Sequence, residues 1–270
     1  MSKVIAIDAG HGINTAGKRC LKILDSAETR EWYLNDRIAD LVENMLKGYD
    51  CKVVRLDDTT GAKDVSLANR VKTANNAKAD VIISIHHNAG VKGGAGGGTS
   101  VYCWPDNASR AKTQKLWQQL IKSTGLRGNR ANPIGDGSNL YIIKKSKMTS
   151  LLIENGFMDS STDVPIILSQ DHAQKTANGI IEFLASEYGI KKSGVSASIQ
   201  NTAYYPKCDK KYTTIYSALV SIGVNGSYSY RRKIARVNNI GGLNGVLYTG
   251  TTEQNTQMLN LLKAGLLKKV

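Results

Sequence analysis

The sequence predicts an α/β fold over its first 190 residues: a mostly parallel, twisted sheet flanked by helices, followed by a small, mainly helical C-terminal module. Three observations carry this. Short apolar runs such as KVIAIDAG and DVIISIHH alternate with amphipathic stretches, the grammar of strands wrapped by helices. Composition changes near residue 190, where a small, polar, aperiodic stretch begins. Beyond it the apolar spacing is helical and no strand signal recurs.

KVIAIDAG is a short apolar run closed by glycine, as a buried strand should be. The helix that follows keeps Trp32, Leu34, Ile38, Leu41, Val42 and Met45 near a 3.6-residue period, with Gly48 where a C-cap belongs. CKVVRLD is the second strand, and SLANRVKTANNAKA a helix with Ser66 as its N-cap. DVIISIHH is the third strand. A glycine-rich loop over 90–98 leads to the fourth, GGTSVYCW, and then to the helix DNASRAKTQKLWQQLIKST. NLYIIKK reads as strand-like, SLLIENGF as a strand, and two helical stretches close the unit at IIEFLASEYG.

The organisation expected is a catalytic domain over 1–189, a linker over 190–206 (IKKSGVSASIQNTAYYP) and a basic module over 207–270. Within that module TTIYSALVSIG, SYSYRRKIARVNNI and TTEQNTQMLNLLKAG carry helical spacing, which suggests three helices. Charge is unevenly divided. Residues 191–270 hold twelve Lys and Arg against Asp209 and Glu253, net +10 of the +14 total. Such asymmetry points to an anionic partner for the C-terminal part, with a merely soluble basic module as the plainer reading.

The four cysteines are scattered and form no C-x-x-C pair, so free thiols are expected. No apolar run approaches the ~20 residues that span a bilayer, so membrane insertion is not expected. MSKVIAIDAGHG does not read as a signal peptide, because its apolar stretch is short and broken by Asp8. Synthesis in the cytoplasm is the corresponding expectation. The run VKGGAGGG lacks the G-K-[ST] ending of a phosphate-binding P-loop.

Ligand sites in parallel sheets gather at the carboxyl ends of strands. His11, His86 and Glu154 each close an apolar strand, and Glu31 falls in the first helical turn after strand one. Hydrolytic zinc is commonly held by three His and carboxylate side chains, with one position left for water. That makes His11, Glu31 and His86 candidate ligands and Glu154 the candidate acid–base group. Glu28 is an alternative to Glu31, and a hydrogen-bonded structural role is the plainer reading of either histidine alone. His87 is expected to be exposed, with a place behind the ligands as the alternative, and His172 to sit on a helix surface.

AIDAGHG, REWYLNDRIADLV, SLANRVKTAN, DVIISIHHNA and LLIENGFM together resemble, in order and approximate spacing, the zinc-dependent N-acetylmuramoyl-L-alanine amidases, the type 3 cell-wall amidases. The likeness covers most of residues 3–188. It implies one Zn2+ ion held by His11, by Glu31 (four residues before Asn35) and by His86 (two before Asn88), with Glu154 catalytic. Asn88 and Arg70 match family positions near the site and are tentative substrate contacts, with structural hydrogen bonding as the competing reading. The substrate implied is peptidoglycan, cut between N-acetylmuramic acid and L-alanine.

The C-terminal segment is similar to wall-binding modules of phage lysins from Gram-positive hosts. Tyr228, Tyr230, Arg231 and Arg232 are a candidate binding face for an anionic wall polymer, with helix core and solvated charge as the alternative. The layout suggests an endolysin, made inside the host and acting on the wall after release. Competing functions are a zinc peptidase cutting within the stem peptide, a non-catalytic wall-binding protein, and a nucleic-acid binder. The last lacks any zinc-finger or RNA-binding aromatic motif, and no nucleic-acid partner is expected.

Overall fold

Six strands form one sheet in the computed structural model, which describes residues 2–129, 131–193, 204–242 and 248–270. They are β1 (Lys3–Ala9), β2 (Cys51–Arg55), β3 (Val81–Asn88), β4 (Thr99–Cys103), β5 (Ile134–Asp136) and β6 (Thr149–Phe157), in the order β2-β1-β3-β6-β4-β5. Strands β2, β1, β3 and β6 are parallel to their neighbours, while β4 meets β6 antiparallel and carries β5 parallel to itself. The sheet is therefore mostly parallel, as expected.

Helices cover both faces, and strand alternation decides which residue meets which layer. Ile5, Ile7, Val81, Ile83, Ile85, Leu151 and Ile153 pack under α1 (Glu31–Leu46), α3 (Asn107–Thr124) and α6 (Gln170–Tyr188). Their neighbours Ala6, Ile82 and Leu152 face the other way, against α2 (Leu67–Asn76) and the single turn α4 (Tyr141–Lys144). A second short helix, α5 (Val164–Ile167), precedes α6. Ser66 caps α2 as anticipated by accepting the Asn69 N–H, and Asp106 and Ser169 cap α3 and α6 in the same way.

Two local expectations change. NLYIIKK forms helix α4 instead of a strand: a helical turn lets the consecutive Ile142 and Ile143 both enter the α2-side core, which strand alternation would forbid. The three-residue β5, where no strand was expected, pairs with β4 at the sheet edge.

Arg55, at the end of β2, docks the sheet edge onto α1. Its guanidinium reaches Asp36 at 3.0 Å, Asp40 at 2.9 Å and Glu43 at 3.1 Å along one face of α1, and Asp57 at 2.7 Å. The Asp36 and Asp57 side chains have no exposed area, and this cation contributes to their compensation.

The chain divides into two compact units, Met1–Val195 and Ser196–Val270. Residues 194–203 of the segment read as a linker lie outside the described residues. Its two ends belong to folded structure: Lys191 exchanges hydrogen bonds with Asp50, and the Tyr205 N–H donates to the Leu267 carbonyl at 2.8 Å. The second unit packs α7 (Ile215–Ser221), α8 (Tyr228–Val237) and α9 (Thr252–Ala264) around Leu219, Ile234, Tyr248, Met258 and Leu262. All four cysteines are free thiols. Among the described residues no helix is long and apolar enough to cross a membrane.

Arg55→Met should lower the stability of the protein by about 3–5 kcal/mol, because it removes the cation shared by Asp36, Asp40, Glu43 and Asp57. A urea-unfolding midpoint measured at pH 7 checks this.

Candidate metal centre and active site

The site forms at the carboxyl ends of β1, β3 and β6. β1 ends at Ala9, Gly10 continues alongside β3 by donating its N–H to the Ile85 carbonyl at 3.0 Å, and His11 follows with φ 69°. A left-handed backbone at a non-glycine residue is sparsely populated and must be held in place by its surroundings. Arg70 does the holding. It donates to Asp8, to the carbonyls of Ala9 (2.7 Å), His11 (3.0 Å) and Val65 (2.8 Å), and to Asp64 (3.2 Å). All five guanidinium donors are thereby used inside the protein. Arg70 is a structural clamp, in line with the hydrogen-bonding reading of this residue, and it also lines the cleft beside His11 and His86.

Glu31, the first residue of α1, is completely buried. Its Oε1 lies 3.1 Å from His86 Nδ1 and also accepts from the His87 backbone N–H at 3.1 Å and Asn35 Nδ2 at 3.3 Å. Its Oε2 faces His11 Nε2 at 3.3 Å, yet accepts no hydrogen bond. Burial pushes this carboxyl up, but the neighbouring His11 and His86 outweigh it and hold the group well below the usual carboxylate range. The same contacts raise His86 against the opposing effect of its burial. The alternative, Glu28, instead pairs with Arg19 at 3.2 Å.

The ligand atoms of His11, Glu31 and His86 all lie within 4.8 Å of one another. Zinc bonds of ~2.0–2.2 Å in a tetrahedral arrangement place ligand atoms about 3.3 Å apart, which matches the 3.1 and 3.3 Å found between Glu31 and the histidines. A buried carboxylate oxygen lacking a donor is also the atom that a cation would satisfy. The residues present therefore fit a zinc ion. Room for the His86 ring comes from Gly10, where a Cβ would fall 2.0 Å from the imidazole Cε1.

Glu154 stands directly opposite His86 in the β3–β6 register, so the two side chains share a face. Its Oε2 is buried and without a hydrogen bond. Burial pushes its carboxyl up, His86 opposes that, Glu31 adds to it, and the result is about 7. A cleft of about 370 Å3, lined in part by Asp64, Ser66 and Leu67, opens beside His11 and His86.

Two histidine expectations are overturned. His87 is buried, because alternation along β3 turns it to the face opposite His86, where Nδ1 lies 2.8 Å from Asn35 Oδ1. His172 is buried too, in the first turn of α6 against the sheet, and burial with the nearby Arg37 charge drives it down to about 4. Asn88 ends β3, its side chain bonding Tyr102. The Tyr102 hydroxyl also accepts from Asn132 at 3.3 Å, a contact that sequence patterns did not single out.

The residues read as a wall-binding face behave differently from one another. Arg232 is buried, so it is not part of a surface. Arg231 donates to the Tyr248 hydroxyl and the Gly226 carbonyl, and the Tyr230 hydroxyl meets that of Tyr205 at 3.2 Å. Tyr228 is half-exposed and stacks on Tyr248.

Residues 5–186 match the model of the Amidase_3 family, N-acetylmuramoyl-L-alanine amidase. The chain belongs to this family. It is 27% identical over 208 residues to the N-acetylmuramoyl-L-alanine amidase CwlM of Bacillus licheniformis, covering 76% of this chain and 77% of that one. It is 30% identical over 207 residues to the endolysin of Bacillus phage SPP1, covering 73% and 70%. Among solved structures, the catalytic domain of the amidase CwlV from Bacillus (Paenibacillus) polymyxa var. colistinus superposes with a TM-score of 0.61 at 29% identity, covering 70% of this chain and 99% of that one.

Gly10→Ala should leave the amidase folded, by circular dichroism, but weaken zinc binding by roughly 10–100-fold as the displaced His86 ring loses its orientation. Competition with a chelating dye measures this.

Proposed function

We propose that the first unit hydrolyses the amide between N-acetylmuramic acid and L-alanine with zinc held by His11, Glu31 and His86, and with Glu154 as acid and base. The observation that carries this reading is Glu154 standing in register with His86, beside three side chains spaced as zinc ligands. When bound there, zinc supplies Lewis acidity, lowering the pKa of water from ~15.7 towards ~7 and polarising a carbonyl.

The protein's own groups do the rest. A base must stand within reach of the proton it takes, and the partly buried Glu154 carboxyl, in register with His86, is so placed. It takes a proton from the attacking water. It then returns a proton to the alanine nitrogen, since an amine leaves poorly unless protonated. Asn35 and the His87 N–H keep Glu31 Oε1 oriented, while Arg70 fixes the turn that presents His11.

We further infer a role as an endolysin, with the basic second unit holding the enzyme on the wall after its release from the cell in which it is made. Likeness to the phage SPP1 endolysin and the net +10 charge of residues 191–270 support it. A second, weak attachment raises the local concentration of an enzyme on a solid substrate.

Mass spectrometry of Gram-positive peptidoglycan after digestion should show free stem peptides beginning at L-alanine. Chelation should abolish them, zinc should restore them, and Glu154→Gln should reduce them roughly 10²–10⁴-fold with zinc still bound. Cuts within the stem peptide would instead establish a peptidase. Truncation after residue 193 should spare turnover of soluble muropeptides while weakening co-sedimentation with walls about a hundredfold.

A further inference from the structure

The connection between β1 and α1 delivers a cation to the site that the mechanism above does not use. Residues 18–20 run antiparallel to 29–31, through the Arg19↔Arg30 bridge, the Cys20 N–H to the Thr29 carbonyl at 2.9 Å, and the Glu31 N–H to the Lys18 carbonyl at 3.0 Å. That pairing sets Lys18 beside Glu31. Its Nζ stands 3.7 Å from Glu31 Oε2, beyond hydrogen-bond range, and the side chain is 45% exposed. The ammonium makes no hydrogen bond among the described residues. Its charge also reaches Glu154, where it opposes the upward push of burial.

An ion pair drawn to full contact sits at hydrogen-bond distance, as the partly exposed Lys3 and Asp80 do at 2.9 Å. Lys18 instead keeps its donors free 3.7 Å from Glu31 Oε2, and its charge is felt at Glu154. In that place a donor meets whatever anion forms between the metal ligands and the base.

We propose that Lys18 is a catalytic residue, whose ammonium donates a hydrogen bond to the oxygen of the scissile carbonyl as that oxygen becomes anionic. The proposal rests on the amidase reading of the same site. The water oxygen bonds to the carbonyl carbon, the C=O π pair moves onto the carbonyl oxygen, and Lys18 shares that charge without giving up its proton. When the pair returns, the C–N bond breaks. Its electrons leave on the alanine nitrogen, which takes the proton held by Glu154. A donor that acts only on the charged intermediate lowers the barrier without tightening substrate binding.

The test uses the full-length, zinc-loaded protein with Lys18→Met and Lys18→Arg on a soluble muramoyl peptide. Lys18→Met should lose roughly a hundredfold in kcat with KM unchanged, and Lys18→Arg should recover part of the loss. By calorimetry, a phosphinate analogue of the tetrahedral intermediate should bind Lys18→Met about a hundredfold more weakly, while the released stem peptide binds as before. Zinc affinity should not fall, because removing a cation beside a metal site favours the metal.

A kcat within about threefold of wild type overturns the proposal. So does a raised KM at constant kcat, which would mark a ground-state contact to a substrate carboxylate, and so does a loss of zinc affinity, which would mark a structural prop. Glu154→Gln and chelated wild type run alongside: if they retain turnover, the amidase reading itself fails, whereas if they alone are inactive, only the role of Lys18 fails.

Discussion

The register of β3 against β6 is the constraint on which the site depends. Parallel pairing runs from Val81↔Thr149 to His86↔Glu154, so a metal-ligand candidate and an acid–base candidate reach the same face at the same height. A slip of one residue would set Ile153 or Asn155 opposite His86 and turn Glu154 to the other face. The slip is prevented because Ile83, Ile85, Leu151 and Ile153 must all enter the same apolar layer under α1, α3 and α6. The hydrophobic core thus sets the position of the chemistry, although no core residue takes part in it.

The charged groups around that register are buried as compensated sets. Asp8 is held between Arg70 and the Ser84 hydroxyl, and Arg55 serves four carboxylates where β2 meets α1. Buried ions of this kind add little net stability but impose one geometry, since any other arrangement leaves a charge unpaired. The left-handed His11 backbone follows from this: the Arg70 guanidinium that neutralises Asp8 also binds the carbonyls of Ala9 and His11. Glu31 and Glu154 are the contrast. Each keeps one buried oxygen without a donor, in the part of the molecule where a metal and a substrate would supply what is missing.

The second unit is organised by other means. Among the described residues three short helices enclose a small core, and its tyrosines are tied in by hydrogen bonds: Tyr205 with Tyr230, Tyr228 with Tyr248, and Tyr248 with Arg231 and Asn255. These bonds draw Arg231 and Tyr230 into the module, and Arg232 is buried. Of the four residues read as a binding face, Tyr228 presents an exposed ring.

The sequence by itself determined the sheet-and-helix alternation, the amidase family and the His11, Glu31, His86 and Glu154 constellation. Strand ends, helix starts and motif spacing are local and periodic, and they survive in a one-dimensional reading. It also determined the caps at Ser66 and the three-helix pattern beyond residue 206. What only the tertiary structure decided depends on which surfaces come together. His87 and His172 became buried because α1 and α6 close over one face of the sheet. NLYIIKK became a helical turn because two adjacent isoleucines had one core to fill. Arg70 became a clamp, and Lys18 was set beside Glu31, because residues far apart or on opposite arms of a loop were brought close together. Such meetings leave no periodic trace in the chain, since they depend on three-dimensional packing and not on the spacing of residues along it.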